Sequence, residues 1–386
     1  MRRRHWLLAL WYACHFAAVG LLLPYLAPWL RSEGLSPFRI GVVFGILGVS
    51  AVIAPNFWGW LADHTGRRLL LIRLATGCAA VSFAMVSLAD GFAALAGFMV
   101  LFGCFRNAAL PQFETLTFEH LAGERHRYGV IRLWGSVGFI VAVSVAGRWL
   151  DHAGMGLFPA LMVGALVAIW LASLAVPGPP VQAAAEETGS LGRVLRRRDV
   201  WVLLGVCFLQ QMSHGPYYAF FSIHLEDLGY GKGAIGELWA LGVVAEIVIF
   251  VLMPGLLRRY PAGALMVLAT ALTALRWALT GWLAGSVPLI ALAQCLHAAS
   301  FGMFHAAAID RIHWLFQGRA RGRGQALYSS LSFGAGVAAG SFLAGTAWQA
   351  LGAGWTFSGA SVCALLALAL AAWRLVPRGD LLGGAS

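Results

Sequence analysis

"GWLADHTGRRLLL", residues 59–71, is a short polar turn set between two long apolar runs, 39–62 and 68–89. Its glycines permit a tight connection between two helices, Asp63 can face the positive N-terminal end of a neighbouring helix, and Arg67 or Arg68 can face carboxylates or lipid phosphate. Each flanking run is long enough to cross a bilayer, since about 30 Å of hydrocarbon at about 1.5 Å per residue takes roughly 20 residues. Such runs recur along the whole chain, at approximately 6–30, 39–62, 68–89, 92–118, 129–150, 157–176, 200–225, 233–256, 263–285, 287–313, 326–349 and 355–376. In lipid each must satisfy its own backbone groups, and none shows the period-two alternation of a barrel strand. The predicted fold class is therefore an all-α integral membrane protein with twelve transmembrane helices.

Composition agrees. The 386 residues are 60% hydrophobic and only 11% charged, with a mean hydropathy of +0.77, which excludes a soluble α/β protein of this length. The first run follows "MRRRH" but continues into Pro24 and Pro28 without a small-residue cleavage site, and so reads as a retained helix. A net charge of +11 could indicate nucleic acid, but the placement of the arginines excludes that use. The termini and even-numbered loops carry Arg2, Arg3, Arg4, Arg67, Arg68, Arg125, Arg127, Arg193, Arg196, Arg197, Arg198, Arg258, Arg259, Arg311, Arg319, Arg321, Arg323, Arg374 and Arg378, whereas the other side carries Arg31, Arg39, Arg148 and Lys232. This asymmetry follows the positive-inside rule and predicts two cytoplasmic termini. The six cysteines all fall inside apolar runs without a CxxC pair, so neither a disulfide framework nor a metal site is expected.

The stretch "VPGPPVQAAAEETGSLGRVLRRRD", 176–199, is the longest polar segment and divides the chain. The predicted organisation is an N-terminal six-helix half, 1–176, a cytoplasmic linker, 177–199, and a C-terminal six-helix half, 200–386. A shift of 195 residues superposes Gly20, Tyr25, Leu30, Gly34, Ile40 and Gly41 on Gly215, Phe220, Leu225, Gly229, Ile235 and Gly236, at the same place in each half. With this parallel repeat, "GWLADHTGRRLLL" resembles the signature of the major facilitator transporters at Gly59, Leu61, Ala62, Asp63, Gly66, Arg67, Arg68 and Leu71. It departs at His64, where that superfamily usually has arginine. The resemblance implies substrate sites near the midplane between the halves and makes Gly59, Asp63, Gly66, Arg67 and Arg68 a conformational gate. The matching stretch of the second half, "GLLRRYPAG" at 255–263, keeps only fragments of the motif.

Ionisable residues at membrane depth are expensive and mark functional positions. Glu114 and Arg132 flank a cytoplasmic turn at equal distance, roughly nine residues or about 13 Å by helical rise, so a Glu114–Arg132 pair is geometrically natural. Arg106 and Asn107 lie about two turns deeper than Glu114, with Asn107 on nearly the same helix face. Glu246 and Arg276 flank a later cytoplasmic turn at similar depth, where they either pair or hold opposite walls of one cavity. His297 lies at comparable depth, His305 about two turns from it, and His15 and His214 in the first and seventh runs.

The stretch from Glu114 through "YGVIRLWGSVGF" (128–139) resembles the oligosaccharide:proton symporter branch that includes lactose permease. "SHGPYY" (213–218), "WALGVVAEI" (239–247) and "GRGQALYSSLSFGAG" (322–336) resemble more closely the bacterial 3-phenylpropionic acid transporter group. These likenesses imply substrate binding by Arg132 and Glu114 and proton coupling by Glu246, Arg276 and His297, while Arg106 and Asn107 are substrate-site candidates by their depth and helix face alone. One departure stands out: lactose permease has a carboxylate three residues after its span-ten histidine, and this chain has Ser300, which leaves Glu246 as the best proton carrier. Tyr217 and Tyr218, beside Pro216 where the seventh helix should kink, are further candidates for the substrate site. For each charged group the other reading is structural, a pair or backbone contact that joins helices.

The expected function is secondary active import of a small organic anion, an aromatic acid such as 3-phenylpropionate, by proton symport and alternating access. A monomer in a bacterial inner membrane would suffice, with no cofactor beyond the proton gradient. A neutral sugar or nucleoside symporter is the alternative, then a drug efflux permease. A sensor lacks any sizeable extramembrane part, and an enzyme lacks a metal cluster, a nucleophile–base pair or a nucleotide loop.

Overall fold

The computed structural model describes residues 3–121, 124–178, 194–317 and 321–375. Most of the predicted linker, together with Arg2, Arg193, Arg319 and Arg378, lies outside the described residues. Among those described no strand forms, and ten helices are long and apolar enough to cross a membrane. The elements are α1 (Arg3–Ser32), α2 (Pro37–Thr65), α3 (Arg68–Val86), α4 (Gly91–His120), α5 (Tyr128–Ala153), α6 (Phe158–Ala175), α7 (Arg198–Asp227), α8 (Lys232–Arg259), α9 (Ala262–Trp282), α10 (Val287–Leu315) and α11 (Arg321–Arg374). α7, 30 residues long, falls outside the ten. The two last apolar runs are continuous as α11 except at Gly352, whose φ of 79° and ψ of −175° break the helix. Large apolar side chains such as Val251 (75% exposed) and Leu88 (72%) stand on the outside, a surface that suits lipid and not water.

Local chemistry sets the helix ends. Ser36 caps α2 by accepting from the Arg39 amide at 3.4 Å, with Pro37 at the first helical position. α2 stops at Gly66, whose left-handed φ of 64° lets its amide donate to the Ala62 carbonyl at 2.9 Å. The end of α6 is capped from elsewhere: the Arg73 guanidinium donates to the carbonyls of Ser173, Leu174 and Val176 at 3.1–3.2 Å, which satisfies acceptors that no helical amide reaches.

The chain groups into two compact units, one of Met1–Ala184 with Ala219–Ala240, the other of Ala185–Tyr218 with Leu241–Ser386. In the first unit α1 packs along α5 and α6, and α3 along α4 and α6. Gly138 lies so close to α1 that a Cβ there would stand 2.7 Å from the Ala13 carbonyl carbon and 2.8 Å from its Cα, a small-residue approach of the kind that brings membrane helices together. Ala219–Ala240 joins this unit through Arg31, which pairs with Glu226 and Asp227. Asp151 at the end of α5 accepts from the Lys232 and Gly233 amides of α8 at 2.6 and 2.8 Å.

In the second unit α9 packs on α10 and α11 around a core that includes Leu203, Met266, Phe304 and Ile312. Pro216 inside α7 supplies no amide for the Met212 carbonyl one turn earlier. α11 approaches at that point, since a Cβ on Gly340 would overlap the Met212 carbonyl. Two π-helical segments interrupt this unit, Ala298–Met303 in α10 and Ser330–Gly336 in α11.

Candidate functional site

Arg132 and Glu114 are electrostatic neighbours, but no ion pair joins them. The Glu114 carboxylate accepts instead from the Tyr128 hydroxyl at 3.2 Å. The Arg132 guanidinium lies 3.9 Å from the ring centre of Phe16 and 5.5 Å from that of Tyr12, a cation–π arrangement that stabilises the charge by about 0.5–2 kcal/mol. Equal depth brought the two residues to the same level, whereas helix rotation gave Glu114 to a tyrosine and Arg132 to aromatic faces. Tyr12 donates to Thr117 at 3.3 Å, so α1, α4 and α5 together present a carboxylate, a guanidinium and hydroxyls.

Arg106 shares a cavity of about 10 Å³ with His15 and Thr76, roughly the space of one water molecule. His15 is buried, stacks on Trp11 at 4.9 Å and leaves Nδ1 without a hydrogen-bond partner. Asn107 is committed to α2, donating to the Ser50 hydroxyl at 3.0 Å and the Leu47 carbonyl at 3.4 Å, while Arg106 donates to its Oδ1 at 3.3 Å.

In the second unit Glu246 pairs with His297, Oε2 to Nε2 at 3.4 Å. Arg276 is fully buried, at 0% exposure. Its Nε donates to the Ala293 carbonyl at 3.0 Å and its Nη1 to the Ser300 hydroxyl at 2.9 Å. Its Cζ lies 4.3 Å from the ring centre of Tyr217 and 4.5 Å from that of Trp277. Tyr217, also buried, donates to Gln294 Oε1 at 3.0 Å. Tyr218 lies beside it with ring centres 5.6 Å apart. His214 holds the Gln210 carbonyl through Nδ1 at 2.8 Å, and His305 holds the Tyr328 hydroxyl at 2.9 Å.

The polar turn at 59–71 is built around Arg68. Its guanidinium donates to Gln112 Oε1 at 2.6 Å and Asp63 Oδ1 at 3.1 Å, and its Nε lies 3.4 Å from Glu119. Arg68 thus ties the end of α2 and the start of α3 to α4. Gly66 supplies the left-handed cap, Gly59 faces Gln112, and Arg67 is exposed.

Tyr128, Phe16, Gln294 and Gln210 are polar or aromatic neighbours that a search for ionisable residues passes over. Tyr128 opens the same stretch as Arg132. The glutamines carry a signal of their own, since an amide inside an apolar run needs a partner as a charge does.

A multi-pass helical bundle that keeps guanidinium, carboxylate and amide groups inside its units is built as a membrane transporter. The chain matches the MFS_1-like family over residues 5–359 and belongs to it. It is 31% identical over 357 residues to the probable 3-phenylpropionic acid transporter of Escherichia coli (strain K12), covering 90% of this chain and 92% of that protein. It is 29% identical over 336 residues to the maltose permease of Geobacillus stearothermophilus, covering 85% and 84%. The crystal structure of the nucleoside transporter NupG aligns with a TM-score of 0.80 at 18% identity, covering 97% of this chain and 98% of that one, a likeness of fold.

Proposed function

We propose that the protein is a proton-coupled importer of a small organic anion, with an aromatic acid as the best chemical fit. The observation that carries this reading is the setting of Arg106, Arg132 and Arg276. Among the described residues none of the three is in an ion pair, while Arg132 and Arg276 both lie against aromatic rings. A guanidinium with an aromatic wall matches the two ends of an arylalkanoate: charge-assisted hydrogen bonds for the carboxylate and ring faces for the aryl group. The 3-phenylpropionic acid relative supports the same class. The Glu246–His297 pair is the proposed proton carrier, with Ser300 taking no proton.

In this reading α7 and the two parts of α11 on either side of Gly352 bring the crossings to twelve. The organisation remains two six-helix halves, 1–176 and 200–386, with both termini cytoplasmic in a bacterial inner membrane and the monomer as the working unit. The turn at 59–71 acts as gate during alternating access. The test is uptake into right-side-out vesicles under an imposed pH gradient. Accumulation of 3-phenylpropionate is expected; accumulation of a neutral sugar or nucleoside without any organic acid would remove the anion part. A sugar or nucleoside substrate is the second reading, favoured by the hydroxyl and carboxylate cluster of Tyr12, Thr117, Tyr128 and Glu114 and by the maltose permease relative.

A further inference from the structure

In the second unit, the end where α7 begins and α8, α10 and α11 finish carries arginine and tryptophan together. Val200 of α7, Leu315 of α10 and Leu375 just past α11 belong to one buried core, so these helix ends share one end of the unit. On the outside of the same helices apolar side chains give way to charge within about two turns, roughly 10 Å. Val251 is 75% exposed and Leu366 54%, and the next exposed groups toward the helix ends include Arg258 and Arg374. Trp201, Trp314 and Trp373 are each more than half exposed at this border. Tryptophan belongs where hydrocarbon meets headgroups, which puts the neighbouring arginines at headgroup level.

Trp314 differs from the other two tryptophans in gathering two guanidinium groups. Arg311, one turn earlier on α10, has its Cζ 5.4 Å from the ring centre, and Arg197, just before α7, has its Cζ 5.7 Å from the same centre. Trp201 Nε1 donates to the Leu195 carbonyl at 2.8 Å, which pins the segment that carries Arg197. Two like charges brought to one ring from separate elements repel each other, and an anion between them reverses that cost. The acids of the chain nearby answer it weakly. Asp199 lies 3.5 Å from Arg197 with both side chains exposed, a pair that solvent screens. Asp310, next to Arg311 in sequence, is exposed and joins no ion pair among the described residues. Arg311 joins none either, and its Nε is buried without a hydrogen-bond partner. A planar guanidinium that meets the protein through a ring face keeps donors for phosphate oxygens, which it can bind two at a time.

We infer that Arg197, Arg311 and Trp314 form a docking site on the second unit for one anionic phospholipid, the two guanidinium groups holding its phosphodiester. Lipid is the occupant, and not free phosphate, because the exposed indole beside the charges suits a ligand that continues into hydrocarbon. The site requires only that the protein lies in a membrane. It contains none of the residues assigned to substrate or proton and stands apart from the transport reading.

The full-length protein, purified in detergent, is titrated with phosphatidylglycerol, phosphatidylcholine or inorganic phosphate at constant ionic strength. Thermal unfolding and the lipid retained in native mass spectra are both recorded. A saturable rise in Tm with retained lipid is expected for phosphatidylglycerol alone. Arg197→Gln with Arg311→Gln is compared with Arg258→Gln with Arg259→Gln, which removes the same charge from the same end of the unit. Apparent affinity should fall at least about tenfold further in the first pair than in the second. Trp314→Leu leaves the net charge untouched and should weaken retention as well, which keeps the test open where the first pair does not fold. Equal losses in the two pairs, or equal responses to phosphatidylcholine and phosphatidylglycerol, overturn the site. A response to inorganic phosphate that matches phosphatidylglycerol overturns lipid as the occupant, and no saturable response to any of the three overturns the inference outright.

Discussion

Gly138→Ala tests the claim that α1 and α5 are held by backbone approach. The new Cβ would stand 2.7 Å from the Ala13 carbonyl carbon and 2.8 Å from its Cα, and neither atom can swing aside as a side-chain tip can. Restoring an ordinary separation needs α1 and α5 to part by roughly 1 Å, and overpacking of this kind costs about 1–3 kcal/mol. Alanine also gains about 1 kcal/mol of helix propensity over glycine, so the variant should be read against one that gains the propensity without the clash. Gly97→Ala in α4 is that control, since nothing lies within 4 Å of its Cβ position. The difference between the two variants, measured by thermal or denaturant unfolding in one detergent, should be on the order of 1–3 kcal/mol. Phe16 and Arg132 lie across the same α1–α5 contact, so substrate-induced stabilisation should fall as well. Equal stability of Gly138→Ala and Gly97→Ala would refute the close-approach argument.

Arg68→Ala should cost about 1–3 kcal/mol, because it leaves the Gln112 oxygen buried without its donor, whereas Arg67→Ala should be almost silent; thermal unfolding of the two variants checks the contrast. Glu246→Gln is expected to abolish gradient-driven accumulation and to preserve exchange in vesicles, and retained accumulation would remove Glu246 from coupling. Arg132→Ala should erase stabilisation by 3-phenylpropionate in a thermal-shift assay while lowering stability of the unliganded protein only by the cation–π contribution, about 0.5–2 kcal/mol. A large loss without ligand and an unchanged ligand response would make Arg132 a lock between α1 and α5.

Sequence reading went furthest where the physics is local. Gly66 is recognisable because a tight connection between helices needs a left-handed residue, and its φ of 64° meets that need. Apolar length alone identified the ten helices that are long and apolar enough to cross a membrane, whereas the two last apolar runs are continuous as one helix broken at Gly352. Side-chain partners were less accessible. Counting residues from a turn gives the depth of Glu114, Arg132, Glu246 and Arg276, but not the rotation of each helix. Rotation decides that Tyr128 takes Glu114 and that His297 takes Glu246. The π-helical segments were equally hidden, since nothing in "AASFGM" or "SLSFGAG" marks a widened turn.

The cap on α8 shows a different kind of dependence. α8 begins at Lys232, and the residue before it is Gly231, which has no side-chain acceptor; the acceptor comes from Asp151, 81 and 82 residues away from the amides it binds. The first turn of α8 is therefore a borrowed structure, stable while the end of α5 is beside it and short of an acceptor when that neighbour withdraws. An acid at position 231 could not simply take over, because its Cβ would stand 3.2 Å from both Asp151 oxygens and place like charges together. An acid at 231 would therefore serve as the cap only if Asp151 lost its charge.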